Sequence, residues 1–411
     1  MRHKFFSIII WLLLPLIISW QWTAPAWALT EEQKLLNEAW RIVNLSYVDD
    51  SFNHQNWWAL REKWIKKPLA TRTDTYNEIE KMLATLDDPF TRLLRPDQYH
   101  SLRVTTSGEL TGVGLQIGIN ADNNQLTVIS PIAGSPAEAA GIQPGDRILQ
   151  IDGVETKTLS LDEAANRMRG ATGTNVTLTI EQGEKNQVKD IKLTRNKIAI
   201  NAVSYQVGKT KDNRPIGYIR LSQFSANATQ EVRLAIRALE KQSVVGYVLD
   251  LRNNPGGLLQ SGVDIANLWL DGGTIVYTVN RQGVLDSFES VGDAITDKPL
   301  TVLVNQGTAS ASEILAGALQ DNGRAVLIGE KTFGKGLIQS LFDLSDGAGL
   351  AVTVAKYETP NHHDINKLGI MPDQVVSLGS INREQVATKE DPQYQAAVNI
   401  LENKLVVAHA S

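Results

Sequence analysis

At 411 residues, 42% of them hydrophobic, the chain is long enough for two or three domains with substantial cores. Its formal charge of −5, with no basic stripe interleaved with aromatics, argues against a nucleic-acid partner. It has no cysteine, which excludes both disulfide bracing and a thiol nucleophile.

The N-terminus reads as a targeting segment. MRHK is a positive start, Phe5–Ser19 is a short apolar core, and Ala26-Trp27-Ala28 makes an A-x-A-like cleavage site. The apolar run is shorter than the roughly twenty residues that span a bilayer. The expectation is a signal peptide over residues 1–28, cleaved near Ala28, and an exported mature chain without a membrane anchor.

Residues 29–103 carry Trp, Leu and charged residues at helical spacing, as in EEQKLLNEAWRIVNLSYVD and TDTYNEIEKMLATLDD. Trp40, Trp57, Trp58 and Trp64 are expected in inter-helix packing, and Pro89 is expected to break the last helix. Residues 104–195 alternate strands and turns: TGVGLQIG, QLTVISPIAGSPAEAAGIQPGDRILQIDGVE, the helical LSLDEAANRMRG, then NVTLTIEQ. This order, and SPAEAAGIQPGDRILQIDG above all, resembles a PDZ domain. By that resemblance Gly112, Val113, Gly114 and Leu115 form the loop whose N–H groups cradle a peptide C-terminus. On the residues alone, GVGL is equally a glycine-bearing turn before a strand.

Residues 196–378 read as buried strands separated by helices, hence a layered α/β core. Its most informative stretch is TVLVNQGTASASEILAGALQDNGRAVLIGEKTFGKGLIQ, residues 301–339. A β-branched strand leads through a small-residue turn into EILAGALQ, an expected amphipathic helix. A serine in such a turn is exposed beside unpaired helix N–H groups that can hold an oxyanion. Ser310 with Glu313 is equally an S-x-x-E capping box, so the turn alone leaves both readings open. Lys335 sits in TFGKG, where glycines allow a tight turn against a neighbouring loop. GEKTFGKG also matches G-x-x-x-x-G-K, but Gly336 stands where a phosphate-binding loop needs Ser or Thr. Of the six histidines only His362 and His363 lie downstream near the core. A lysine serves as base if burial disfavours its ammonium form, and LIGEKTFGKGLIQSL is apolar enough for that.

Residues 308–339 as a whole resemble the signature of the carboxyl-terminal processing proteases. The resemblance makes Ser310 the nucleophile in preference to Ser312, Lys335 the general base, and Gln339 the residue that orients the lysine. It implies an oxyanion hole from the Ala311 N–H and that of Gly256 or Gly257, in a strand-to-helix turn otherwise unremarkable for its PGG. It further implies a crotonase-like β/α peptidase core over 196–378, with the PDZ domain inserted after an N-terminal helical arm and a helical tail over 379–411. Where the family often has a glycine, this chain has His362 or His363. Arg169, in NRMRGATG, either complements a helix C-terminus or reaches the core as a regulatory switch when a tail docks.

The expected activity is that of a serine endopeptidase cutting near substrate C-termini, with no metal or other cofactor. WRIVNLSYVDDSFNHQNWWALREKW and LATLDDPFTRLLRPDQY resemble the photosynthetic branch, which trims the photosystem II reaction-centre precursor in the thylakoid lumen. The partner implied is a protein with a free C-terminus, in the lumen or a periplasm, with room for peripheral membrane contact. The alternatives are a general tail-specific quality-control protease and an inactive PDZ adaptor.

Overall fold

The computed structural model describes residues 29–119, 125–132, 134–182, 187–199, 201–379, 381 and 383–410, so the expected signal peptide lies outside the described residues. The chain divides into two compact units, one of residues up to Arg95 with Leu341–Val352, the other of Pro96–Ser340 with Thr353–Ser411.

Three helices open the first unit, which also pairs strand Arg92–Leu94 with residues 349–351. Glu31–Ser46 begins with a full capping box, Thr30 and Gln33 each bonding the other's backbone N–H, and buries Leu35, Leu36, Ala39, Trp40 and Val43 along one face. Trp57–Ile65 buries Trp57 and Trp64, and Trp40 Nε1 donates to the Trp57 carbonyl at 3.0 Å. Trp58 is 62% exposed, yet its ring lies edge-on to Trp40 of the preceding helix with centroids 4.6 Å apart, so it too packs between helices, at their solvent edge. The third helix, Arg72–Ala84, ends five residues before Pro89. Its stop is a turn in which Asp87 takes φ +53° and Asp88 accepts from the Phe90 N–H and the Thr91 hydroxyl.

The second unit opens with helix Pro96–Ser107, which runs across residue 104, where the sequence reading starts the strand-rich module. Strands Leu115–Ile119, Leu126–Pro131, Arg147–Ile151, Asn175–Gln182 and Gln187–Thr194 follow as one antiparallel sheet in that order. In Asn175–Gln182 the alternate residues Val176, Leu178 and Ile180 are buried, the period of two that a half-covered sheet requires. Glu109–Gly112 pairs with Asn196–Ala199 where the chain enters and leaves this module.

The layered core holds a six-stranded sheet in the order Val203–Lys209, Pro215–Leu221, Tyr247–Asp250, Leu300–Val304, Ala325–Gly329, Gln374–Val375. Its first pair is antiparallel and the rest are parallel. Every residue of Leu300–Val304 is buried, since both faces of the sheet are covered. Helices Ala228–Glu240, Leu259–Asn267 and Ala311–Asp321 pack on one face with Val302 and Val304. Helix Pro392–Ala410 covers the other with Tyr394, Ala397, Val398 and Leu401, against Tyr218, Val248 and Leu303. Ala311–Asp321 is not amphipathic as expected: residues 311–319 are all buried, because Thr359 and Ile370 close over Gly317 on its outer side. Among the described residues no helix is long and apolar enough to cross a membrane.

Arg252 ties this last helix to the sheet. It is 2% exposed, and its guanidinium forks onto Asp250 at 2.6 and 2.9 Å and onto Asp391 at 2.8 and 3.0 Å, both carboxylates fully buried. Burial pushes the Asp391 carboxyl up, but the Arg252 bond and charge outweigh it and hold it below its ordinary value. Arg252→Met leaves buried Asp391 without its cation and Asp250 with Arg220, at 3.4 Å, as its remaining cation among the described residues, and should lower stability by about 3–5 kcal/mol in urea unfolding. A depressed carboxyl stabilises above its unfolded value near 3.9, so this contribution is lost as pH falls below about 4. In the variant the part of acid sensitivity that belongs to this cluster should be absent; an unchanged urea midpoint contradicts the assignment.

Candidate active site

The strand Leu300–Val304 ends in a turn that is fastened on three sides. Asn305 N–H donates to Thr308 Oγ1 at 3.0 Å, the Thr308 hydroxyl to the Leu251 carbonyl at 2.9 Å, and Ala309 N–H to the Asn254 carbonyl at 3.0 Å. Ser310 follows at φ +59°, ψ −121°, a conformation costing a non-glycine residue about 1–3 kcal/mol. Such strain persists only where its surroundings hold it, and the Ser310 N–H is held by Glu313 Oε2 at 2.9 Å. Ser310 is half-buried, whereas Ser312 is fully buried with its hydroxyl spent on the Asn254 carbonyl at 3.0 Å. The two candidate serines are thus placed very differently.

Glu313 does more than cap. It is fully buried, and its Oε1 accepts from the Thr332 hydroxyl at 2.5 Å and the Gly334 N–H at 2.7 Å. Its Oε2 accepts from the N–H of both Ser310 and Lys335, at 2.9 Å each, which keeps those two nitrogens within about 6 Å of each other. One carboxylate therefore joins the serine turn to the lysine loop. Glycines permit the loop's course: a Cβ on Gly336 would lie 2.4 Å from Asn366 N, and Gly334, at φ +90°, accepts the Lys367 N–H at its carbonyl at 2.8 Å. Lys335 itself is half-buried.

Tyr357, which nothing in the sequence singled out, is buried and donates its hydroxyl to the Lys335 carbonyl. Burial pushes this hydroxyl well above its ordinary value, the Glu313 carboxylate adds to that, and the Ser310 side chain opposes it. Gln339 lies in strand Leu337–Asp343, its Nε2 donating to Thr353 Oγ1 at 3.4 Å.

The loop 253–257 approaches the serine turn so closely that only glycine fits. A Cβ on Gly256 would lie 2.8 Å from Ser310 Cβ and 2.9 Å from Ala311 N. The Gly256 N–H is already committed to Asn254 Oδ1 at 2.9 Å, whereas the Gly257 N–H meets no acceptor among the described residues. Ala311 opens the helix, where an N–H has no intrahelical partner.

In the strand-rich module, Gly112, Val113, Gly114 and Leu115 line a cavity of about 60 Å³ together with Met168 and Arg169. Gly114 takes φ +78°, and a Cβ there would lie 2.2 Å from Ser135 Cβ. Arg169 follows helix Leu161–Met168 and donates to Asn166 Oδ1 at 3.1 Å. His362 takes φ +58°, a conformation glycine adopts freely, and stacks on Tyr277 with ring centres 4.4 Å apart. Among the described residues no group of three or more His, Asp or Glu side chains is placed to hold a metal ion.

Comparison with known proteins accords with this arrangement. The model of peptidase family S41 matches residues 215–376 and that of the PDZ domain residues 101–181. A carboxyl-terminal-processing protease of Synechocystis sp. is 61% identical over 409 residues, which cover 100% of this chain and 96% of the relative. The chloroplastic carboxyl-terminal-processing peptidase 2 of Arabidopsis thaliana is 49% identical over 360 residues, 85% of this chain and 70% of the relative. The solved structure of a photosystem II D1 C-terminal processing protease is 42% identical, superposes with a TM-score of 0.59, and covers 89% of this chain and 100% of its own. The chain belongs to peptidase family S41, as a serine peptidase of the carboxyl-terminal-processing kind that carries a PDZ domain.

Proposed function

We propose that Ser310 is the nucleophile and Lys335 the general base of this peptidase. The observation that carries the reading is the Glu313 carboxylate, which holds the N–H groups of both residues on one oxygen. Ser310 Oγ attacks the scissile carbonyl, and the neutral Lys335 amine takes the hydroxyl proton and returns it to the leaving amine. Water then attacks the acyl-enzyme, its proton passing to Lys335, and releases Ser310. The Ala311 and Gly257 N–H groups receive the oxyanion, the commitment of Gly256 N–H to Asn254 favouring its neighbour. Gln339 orients the lysine from four residues along the chain.

The cavity at Gly112–Leu115 takes the free C-terminus of the substrate, placed as an added strand beside Leu115–Ile119. The substrate we infer is the C-terminal extension of the photosystem II D1 precursor, supported by the similarity to the solved photosystem II D1 C-terminal processing protease. The chain is organised, on this reading, as leader 1–28, helical arm 29–103, PDZ domain 104–195, peptidase core 196–378 and tail 379–411, exported to a thylakoid lumen or periplasm. A mature N-terminus at Leu29 checks the leader.

Ser310→Ala and Lys335→Arg should each lower kcat on a D1-tail peptide by at least about 1,000-fold, since guanidinium stays protonated. Ser312→Ala should remain active and lose only about 1 kcal/mol of stability with its buried hydrogen bond. An active Lys335→Arg enzyme, or a dead Ser312→Ala enzyme with an active Ser310→Ala one, contradicts the assignment. Equal cutting of unrelated apolar tails would make the enzyme a general tail-specific protease.

Arg169 lines the tail cavity, which supports a regulatory role in sensing a docked tail. Arg169→Ala should then lower turnover several-fold more than it lowers tail-peptide affinity. A loss of affinity that accounts for the whole loss of turnover would make Arg169 part of the tail site instead.

A further inference from the structure

Two large apolar side chains stand in water beside the lysine loop, and nothing in the catalytic chemistry uses them. Phe333 is 60% exposed and Leu368 is 61% exposed. Neither belongs to a loosely held segment. The Phe333 N–H donates to the Thr308 carbonyl at 3.0 Å, two residues before Ser310, and its neighbours Thr332 and Gly334 both donate to buried Glu313. The loop carrying Leu368 is laced to the same stretch. Lys367 N–H donates to the Gly334 carbonyl at 2.8 Å, Thr332 N–H to the Ile370 carbonyl at 3.1 Å, and Ile370 N–H to Thr332 Oγ1 at 2.7 Å. A Cβ on Gly334 would lie 3.3 Å from Leu368 N, so the residue after Phe333 runs close against the backbone of Leu368.

Isolated exposed apolar residues are ordinary, but a rigid pair at the rim of a site is the pattern of a binding surface. We propose that Phe333 and Leu368 form an apolar shelf that grips an apolar side chain of the substrate polypeptide beside the scissile bond, and so set sequence preference there. The occupant follows from position. Phe333 is bonded to the turn of Ser310 and stands two residues from Lys335, so a chain presenting its carbonyl to the one and its leaving nitrogen to the other passes this shelf. The shelf is separate from the tail cavity at Gly112–Leu115, and gives the enzyme a second point of recognition. This inference rests on the Ser310–Lys335 reading.

The test uses two peptides with the same C-terminal tail, one with Leu and one with Ser at the positions flanking the cleaved bond. Wild-type enzyme should favour the Leu peptide in kcat/KM, and Phe333→Ser and Leu368→Ser should each shrink that ratio about tenfold, the scale of a lost apolar pocket contact. Phe333→Leu, which keeps an apolar surface and guards against a folding failure, should retain most of the preference. A ratio unchanged in both serine variants, or a change in oligomeric state instead of preference, overturns the shelf. A fluorophosphonate probe on the wild-type enzyme separates the two readings: labelling away from Ser310 overturns the catalytic assignment, whereas labelling at Ser310 with an unaltered ratio overturns the shelf alone.

Discussion

Glu313 is the constraint on which the rest of the site depends. A carboxylate is an acceptor only, and burying one without partners is costly. Here two oxygens receive four donors, and those donors come from both the serine turn and the lysine loop: Ser310 N–H on one side, the Thr332 hydroxyl and the N–H groups of Gly334 and Lys335 on the other. The same carboxylate restrains Ser310 at φ +59°, so the strain in the serine turn and the position of the lysine loop are one problem with one solution. Tyr357 supports the far side of that loop through the Lys335 carbonyl.

The frame around this clamp is rigid for separate reasons. The turn after Asp250 is held by Asn254, which spends its side chain on the Leu221 carbonyl and the Gly256 N–H, and its carbonyl on Ala309 N–H and the Ser312 hydroxyl. That turn brings Gly256 against Ser310 with no room for a Cβ. Behind it, Arg252 bridges Asp250 to Asp391 and anchors the closing helix on the far face of the sheet. The site is therefore built where a fully covered sheet ends, on loops that the core holds from beneath.

Local features were legible in the residues. The β-branched run predicted the buried strand at Leu300–Val304, the small-residue turn predicted the helix start, and glycine spacing predicted the close approach of TFGKG to a neighbouring loop. What was hidden is non-local. Glu313 looked like half of a capping box, because its bonds to Thr332, Gly334 and Lys335 reach across some twenty residues and leave no periodic trace. Between Gly256 and Gly257 the sequence could not choose, since only the fold shows that the Gly256 N–H is committed to the Asn254 side chain. One local rule was overruled in the helical arm: an Asp-rich turn stopped Arg72–Ala84 before Pro89 could. Ser310 and Lys335 as a pair needed the resemblance to a family, because neither motif alone separates a nucleophile from a cap or a base from a surface lysine.

Replacing Glu313 with glutamine tests this account most directly. The amide keeps the size of the side chain but turns one acceptor oxygen into a donor facing N–H or hydroxyl donors that already point at it. With misplacement on the order of 1 Å able to cost about 100-fold, kcat on a D1-tail peptide should fall by about that factor while tail-peptide binding is retained. A Glu313→Gln enzyme that folds and turns over at the wild-type rate would contradict the claim that one carboxylate aligns serine and lysine.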